Sequence, residues 1–389
     1  MRRLTRRRAV IAWILLAVCL VELFRLVFSG SKDKNKDHKA DEIGERGQKI
    51  STVTKAPNKS DETPGAAGTS KVPGKHVPRS ESGIGTQANK SSSRLNLDEV
   101  VANLSRPWRS NETRKAGIRR KLNSVMNGME LTVLTKNFTV VGQNLTFAIN
   151  PNVIHNLTEE VFDMLPKESP FANLNFKRCS VVGNGGILAS SYCGKEIDSS
   201  DFVFRCNAPP LKGYEKHAGT KTNMTSINPS GVIDAKYKRL KDAGRRDKFL
   251  RDMKAYGDLL IPAYGVNMNA YSTSVLALRL LQQKGSSTRG LIINPNHFRG
   301  LQVLWSEIGL KRRMTSGFYL VSVALSVCNS TDLYGFWPFA TGINHRPVTY
   351  HYYDKLKITK GVHNFNWEFD VLYRLHMSGV LRMQAGSCA

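Results

Sequence analysis

The chain of 389 residues contains no Asp-x-Asp triplet. It therefore lacks the short acidic pair that commonly holds a divalent metal against a phosphate. It also has no Cys/His spacing of the zinc-finger kind, and its basic residues are not interleaved with aromatics in clusters, so a nucleic-acid-binding module finds no support. Acidic residues are few, 31 against 57 Lys and Arg, which leaves a formal charge of +26. With nucleic acid set aside, that excess suits an anionic membrane surface or an anionic substrate. Only six cysteines are present. Cys19 falls in an apolar run, and the five that remain are an odd number, so at most two bridges can form within one chain. Between residues 30 and about 105 aromatics are almost absent and Lys, Ser, Gly, Thr and Pro dominate. Such a segment cannot bury enough apolar area to order itself.

The N-terminus is patterned differently. Arg2, Arg3, Arg6, Arg7 and Arg8 precede an apolar run from Ala9 to about Phe28, broken late by Glu22 and Arg25. The uninterrupted part, to Val21, has the length of a signal-peptide core. The whole run spans a bilayer if Glu22 and Arg25 lie near the far interface and snorkel. No small-residue cleavage site follows before Ser29 and Gly30. An uncleaved anchor is expected rather than a cleaved signal, with residues 1–8 in the cytosol because positive charge stays inside. The expected organisation is tail 1–8, transmembrane anchor 9–28, stem 29–110 and one folded domain 111–389. Nine Asn-x-Ser/Thr sequons, starting at Asn58, Asn89, Asn103, Asn111, Asn137, Asn144, Asn156, Asn223 and Asn329, agree with a lumenal or extracellular domain. Such a compartment is oxidising and permits disulfides.

The folded part is organised around residues 179–230. Cys179 opens a short apolar run that breaks at Gly183, Asn184, Gly185 and Gly186. This reads as a buried strand, a tight turn and a helix, a place where backbone N–H groups can approach a phosphate. It is not Gly-x-Gly-x-x-Gly, and a plain strand-turn-helix crossover fits as well. A second strand, Phe202 to Phe204, ends at Arg205, Cys206 and Asn207, and Asn228-Pro229-Ser230 reads as a third strand end. Further strands are expected at Leu259–Ala263, Leu291–Ile293 and Asp332–Phe336. Helices are expected around Leu240 to Met253, at Ser272–Lys284, Phe298–Ile308, Ser316–Val327 and Trp367–Met377. The helix from Ser316 is apolar on nearly every face and should be buried. This alternation predicts an α/β domain with a mostly parallel, doubly wound sheet.

Four stretches in order resemble one family. Residues 179–230 resemble the large sialylmotif of eukaryotic sialyltransferases, and residues 316–339 the small sialylmotif. His351-Tyr352-Tyr353-Asp354 resembles the third motif, and the stretch from His363 to Glu368 the very small one. The form Arg205-Cys206-Asn207 is most similar to the α2,8 branch. The resemblance covers roughly residues 170–389 and implies a Rossmann-like fold of the GT-A-like variant. It implies a CMP-sialic acid donor, a sialylated glycan acceptor, and a Golgi membrane location with the catalytic domain lumenal. It also implies the bridges Cys179–Cys328 and Cys193–Cys388, each closing a loop of well over 100 residues. On the disputed loop-entropy model each stabilises by roughly 5 kcal/mol. Cys206 then remains a buried free thiol.

The site follows from the same resemblance and from the chemistry. Departure of CMP leaves an anionic phosphate, and without an Asp-x-Asp pair the protein must supply the positive field through helix N-termini and side-chain donors. No metal or other cofactor is expected. Thr315, Ser316 and Gly317 precede the buried helix and suit that task, whether or not they also cap it. Asn184 and Asn207 end strands where an open sheet binds its ligand, although both also suit turns. Trp337, Pro338 and Phe339 lie along the nucleotide in the family, with a core aromatic cluster as the alternative. His351 is implied to hold the donor phosphate and His363 to act as general base, a task an imidazole performs near neutral pH. Glu368 is expected to orient locally. Two departures stand out. Thr-Ser-Gly replaces the usual Ser-Thr-Gly and keeps both hydroxyls. Asn-Phe-Asn-Trp replaces the usual spacer before Glu368, on a loop that faces the acceptor. The basic tract before the small motif, Arg299 with Lys311, Arg312 and Arg313, is modest beside that of polysialyltransferases. An inactive sialoglycan-binding relative and an α2,3 or α2,6 sialyltransferase are the competing readings.

Overall fold

The computed structural model describes residues 96–356 and 365–388, all within one compact unit, Ala88–Ala389. Seven strands form one sheet, with every neighbouring pair parallel: β3 (Phe176–Val182), β4 (Phe202–Arg205), β5 (Met224–Ser226), β6 (Asp258–Ile261), β7 (Gly290–Ile292), β8 (Cys328–Tyr334) and β9 (Arg382–Gln384). Two further strands, β1 (Asn144–Thr146) and β2 (Ile154–Asn156), make a separate antiparallel hairpin. The order across the sheet is β7-β6-β5-β4-β3-β8-β9. The chain thus winds outward from β3 to β7, crosses back, and resumes on the other side of β3 with β8. The reversal between β3 and β8 is a topological switch point, the place where an open parallel sheet leaves a crevice.

Alternate strand residues feed cores on opposite faces, as a two-sided sheet requires. Val181, Phe204, Leu260, Leu291 and Leu333 enter one cluster. Val182, Val203 and Tyr334 enter a second, and Leu259, Ile261 and Ile292 a third. Seven helices of eight or more residues occur among the described residues: α1 (Leu97–Leu104), α2 (Glu112–Ser124), α3 (Ala243–Met253), α4 (Met268–Gln283), α5 (Pro295–Glu307), α6 (Ser316–Val327) and α7 (Phe365–Met377). Helix α6 is buried from Gly317 to Val327 and lies against β3, β4, β5 and β8. Its bounds are those read from the sequence. Two helices begin earlier than their apolar periodicity suggests, because asparagines cap them. Asn267 accepts from Ala270 N–H ahead of α4, and Asn294 caps α5 with Pro295 at its first position.

Four features differ from the sequence reading. The stem does not reach residue 110, since α1 is helical with Val100 buried, and Asn96 caps it. The Gly-rich turn after β3 leads not into a helix but into a short 3-10 turn, Gly186–Ser190. Strand β8 runs earlier than expected, from Cys328. Strand β9 was not anticipated, because Arg382-Met383-Gln384 carries no apolar run. It is held instead by Arg382, whose Nε donates 3.0 Å to Asp332 beneath it. The bridges are those implied by the family resemblance, Cys179–Cys328 and Cys193–Cys388, with Cα separations of 6.0 and 4.8 Å and a buried free Cys206. No helix among the described residues is long and apolar enough to cross a membrane, and the expected anchor, residues 9–28, lies outside them.

Candidate active site

A cavity of about 350 Å³ opens over the switch point, within the size range of small-molecule sites. Its walls come from the C-terminal ends of the strands: Gly183 to Gly185 after β3, Cys206 and Asn207 after β4, Asn228 to Ser230 after β5, and Gly335 to Pro338 after β8. The N-terminus of α6, His351 and the first turns of α7 close it. Close approach of the two strand exits explains the glycines. A Cβ on Gly185 would sit 2.6 Å from the carbonyl oxygen of Gly335, which itself has φ +70°. The glycines pack backbone on backbone here rather than opening a helix N-terminus to a phosphate. The next loop is then tied down, because Tyr352 N–H donates 2.9 Å to the Asn184 carbonyl and Gly185 bridges His351.

Helix α6 supplies the positive end. Thr315 is its N-cap, and its hydroxyl accepts from Phe318 N–H at 3.1 Å. The same residue donates its backbone N–H to Glu368 Oε1 at 2.6 Å and its hydroxyl to Oε2 at 2.8 Å. The Thr315 hydroxyl is therefore committed within the protein. The uncapped groups of the first turn that remain are the Ser316 and Gly317 N–H and the Ser316 hydroxyl, at the positive end of the helix dipole. Burial pushes the Glu368 carboxyl up to about 7, against the two hydrogen bonds from Thr315, which pull it down. Gly317 leaves room for the thiol of Cys206, 3.2 Å from where a Cβ would stand. Burial drives that thiol up to about 12, so it stays protonated.

The polar groups facing these donors are equally fixed. Asn184 donates Nδ2 to the Cys206 carbonyl at 2.8 Å, while its Oδ1 is buried with no partner among the described residues. A buried acceptor left open in a cavity is a place for a ligand donor. Asn207 stands at φ +60° and accepts from Asn228 N–H through Oδ1 at 3.1 Å, so it is both a left-handed turn residue and a cavity wall. His351 bonds Asp354 Oδ2 through Nδ1 at 2.5 Å and stacks on Tyr353. That partner fixes the ring and leaves Nε2 for a ligand. Trp337 lines the cavity with its indole N–H donated to the Thr341 carbonyl at 2.8 Å.

The cavity thus gathers Asn184, Asn207, Thr315, Ser316, Gly317, Trp337, Pro338 and His351 from distant parts of the sequence. Phe339 does not line it. Its ring packs edge-on against Trp337 and Phe369 behind the wall, as the core-cluster alternative held. His363 lies outside the described residues, although His351 before it and Phe365 after it both line the cavity. Several wall residues were not singled out from the sequence. Asn228 was legible by the rule that found Asn184 and Asn207, an asparagine ending a strand. Tyr264 and Tyr350 carried no such signal, and Arg313 was read only as part of the modest basic tract before the small motif. Among the described residues no group of three or more His, Cys, Asp or Glu side chains is placed to hold a metal.

The model of glycosyltransferase family 29 (sialyltransferase) matches residues 126–380. The chain belongs to this family. Among its curated relatives, alpha-2,8-sialyltransferase 8F of Mus musculus is 36% identical over 75% of this chain and 73% of its own length. Alpha-N-acetylneuraminide alpha-2,8-sialyltransferase of Xenopus tropicalis is 38% identical over 72% of this chain and 81% of its own. A crystal structure of a mammalian sialyltransferase aligns over 77% of this chain and 88% of its own, with 21% identity and a TM-score of 0.39. The family-29 enzyme described here carries its cavity and all four family motif positions within or beside the matched region, with His363 among them by sequence.

Proposed function

We propose that this sialyltransferase moves sialic acid from CMP-sialic acid to the 8-hydroxyl of a sialic acid that already ends a glycan, with inversion and without a metal. The α2,8 linkage rests on the relatives named for it. The observation that carries the chemistry is that the N-terminus of α6, with the Ser316 and Gly317 N–H groups left over by its Thr315 cap, and His351, held by Asp354, line one cavity. Departing CMP bears an anionic phosphate. The Ser316 and Gly317 N–H groups, at the positive end of the helix, and the His351 ring held by Asp354 supply fixed polar partners where that anion develops, in place of a cation held by carboxylates. Asn184 Oδ1 suits a hydroxyl or amine of the nucleotide. His363 is assigned as the base that takes the acceptor's proton, because a sugar hydroxyl is far too weak an acid to ionise unaided. An uncleaved anchor at residues 9–28 would hold the domain in the Golgi lumen.

The test is incubation with CMP-sialic acid, sialylated or asialo acceptors, and excess EDTA. Transfer to sialylated acceptors alone, with an α2,8 bond by linkage analysis and a rate insensitive to EDTA, is expected. Transfer to asialo acceptors alone indicates α2,3 or α2,6 linkage. Binding of sialoglycans without release of CMP indicates a lectin-like relative, and activity lost to EDTA and restored by manganese overturns metal independence.

A further inference from the structure

Arg313 enters the cavity wall two residues before the N-cap of α6. It is half-buried, and no carboxylate or carbonyl among the described residues accepts from it; its Nε is buried without a partner. Its neighbours in sequence behave differently. Lys311 and Arg312 are exposed and lie over the Trp367 ring at 5.7 and 5.5 Å. The basic tract therefore splits, with two cations on the rim and one turned inward. The inward placement is built. Gln302 of α5 accepts from Met314 N–H through Oε1 at 2.6 Å and donates Nε2 to the Arg312 carbonyl at 3.2 Å. One side chain thus pins the backbone on both sides of Arg313.

A half-buried guanidinium with its Nε buried and no counter-ion costs free energy that an anionic ligand would recover. Burial alone, with no opposing carboxylate, weakens its hold on its proton. The phosphate of CMP already has the α6 N-terminus and His351. A second anion is required by the chemistry of this family, because every sialic acid carries a carboxylate beside its anomeric carbon. Arg, with its planar fork, matches a carboxylate in two parallel hydrogen bonds.

We propose that Arg313 pairs with the carboxylate of a sialic acid in the cavity. This rests on the sialyl-transfer reading and specifies which charged group of the substrate the protein reads. If the carboxylate is the acceptor's, Arg313 is what separates sialylated from neutral acceptors. Donor and acceptor each bring one, and the test has an arm for each.

Arg313→Met and Arg313→Lys are compared with the unaltered enzyme in three measurements: the Kd for CMP, the KM for CMP-sialic acid in acceptor-free hydrolysis, and the KM for a sialylated acceptor at saturating donor. CMP has no carboxylate, so its Kd should be unchanged. The KM of the substrate whose carboxylate is held should rise about tenfold or more in Arg313→Met, and less in Arg313→Lys, which keeps charge but not the fork. In the arm that responds, the methyl ester of that sialic acid should be a poor substrate for the unaltered enzyme and be handled equally by Arg313→Met. Both KM values unchanged in a variant of normal Tm overturn the proposal. A fall in CMP affinity also overturns it, by placing the guanidinium on the phosphate. Should the unaltered enzyme reject sialylated acceptors altogether, the α2,8 reading fails, and the donor arm still decides the role of Arg313.

Discussion

Replacing Glu368 by Gln should stabilise the protein at neutral and alkaline pH and remove much of its pH dependence. The carboxyl is ordinarily half-ionised at 4.5, and burial moves it to about 7 in the fold. A raised value means that folding favours the protonated form. This contribution to stability is complete below 4.5, declines as pH rises through the interval, and is lost above 7. At about 1.4 kcal/mol per pH unit, the ionised group costs roughly 3 kcal/mol by pH 8. That figure is already net of the hydrogen bonds from Thr315, which hold the value down. Gln keeps the geometry, since its carbonyl accepts from Thr315 N–H and its amide donates to the Thr315 hydroxyl, but it cannot ionise. Thermal melts of both proteins at intervals from pH 4.5 to 8 test this. Near pH 5 the two should melt within a few degrees of each other. By pH 8 the variant should lead by about 6–12 °C, given about 2–4 °C per kcal/mol for a domain of this class. Parallel melting curves across the range, or a less stable variant at pH 8, would refute the argument that burial of Glu368 dominates its ionisation.

Other outcomes follow from the same site. His363→Ala should lower kcat by about 10²- to 10⁴-fold while CMP still binds, whereas His351→Ala should weaken CMP binding, and calorimetry with CMP beside steady-state kinetics separates them. Native Cys206 should resist iodoacetamide up to pH 9 and react only on unfolding, since burial holds the thiol at about 12; rapid labelling of the folded protein at Cys206 would contradict that. Gly185→Ala should destabilise by more than about 1 kcal/mol in urea titration, because its Cβ meets the fixed Gly335 carbonyl at 2.6 Å rather than a side chain that can turn aside.

The parallel sheet was legible because its strands are short apolar runs alternating with helical segments, a pattern that burial on both faces produces. Helix α6 was legible to the residue because no charged residue interrupts it between the Thr315 cap and Cys328; its interior serines, Ser322 and Ser326, bond back to the carbonyls of Phe318 and Ser322. What stayed hidden depends on contacts across long sequence distances. Strand β9 has no apolar signature and exists because Arg382 meets Asp332, 50 residues earlier in the chain. The packing role of the glycines stayed hidden for a similar reason. A Gly-rich turn after a strand reads as a phosphate cradle when only its own neighbours are visible, and the Gly335 backbone that makes Gly185 necessary lies 150 residues away. Phe339 shows the limit of motif transfer. It is in the matching place, yet a neighbouring position, Trp337, takes the wall and Phe339 takes the packing behind it.

Glu368 and the α6 N-terminus show why this cavity favours a mildly acidic compartment on the reading proposed here. The positive end of the helix is where the donor phosphate would go, and the protein has already set a carboxylate of its own against the Thr315 N–H. Two full negative charges at one helix end in a buried site repel one another, even though Glu368 takes only the Thr315 donors. The clash is relieved if the resident acid gives up its charge. A carboxyl that titrates near 7 is substantially protonated below that pH. The protonated form can still accept from Thr315 and adds a hydroxyl donor of its own. The Ser316 and Gly317 N–H groups, which lie outside the Thr315–Glu368 pairing, would meet the phosphate. Loss of charge from Glu368 thus lowers the repulsion that an anion would meet at this helix end.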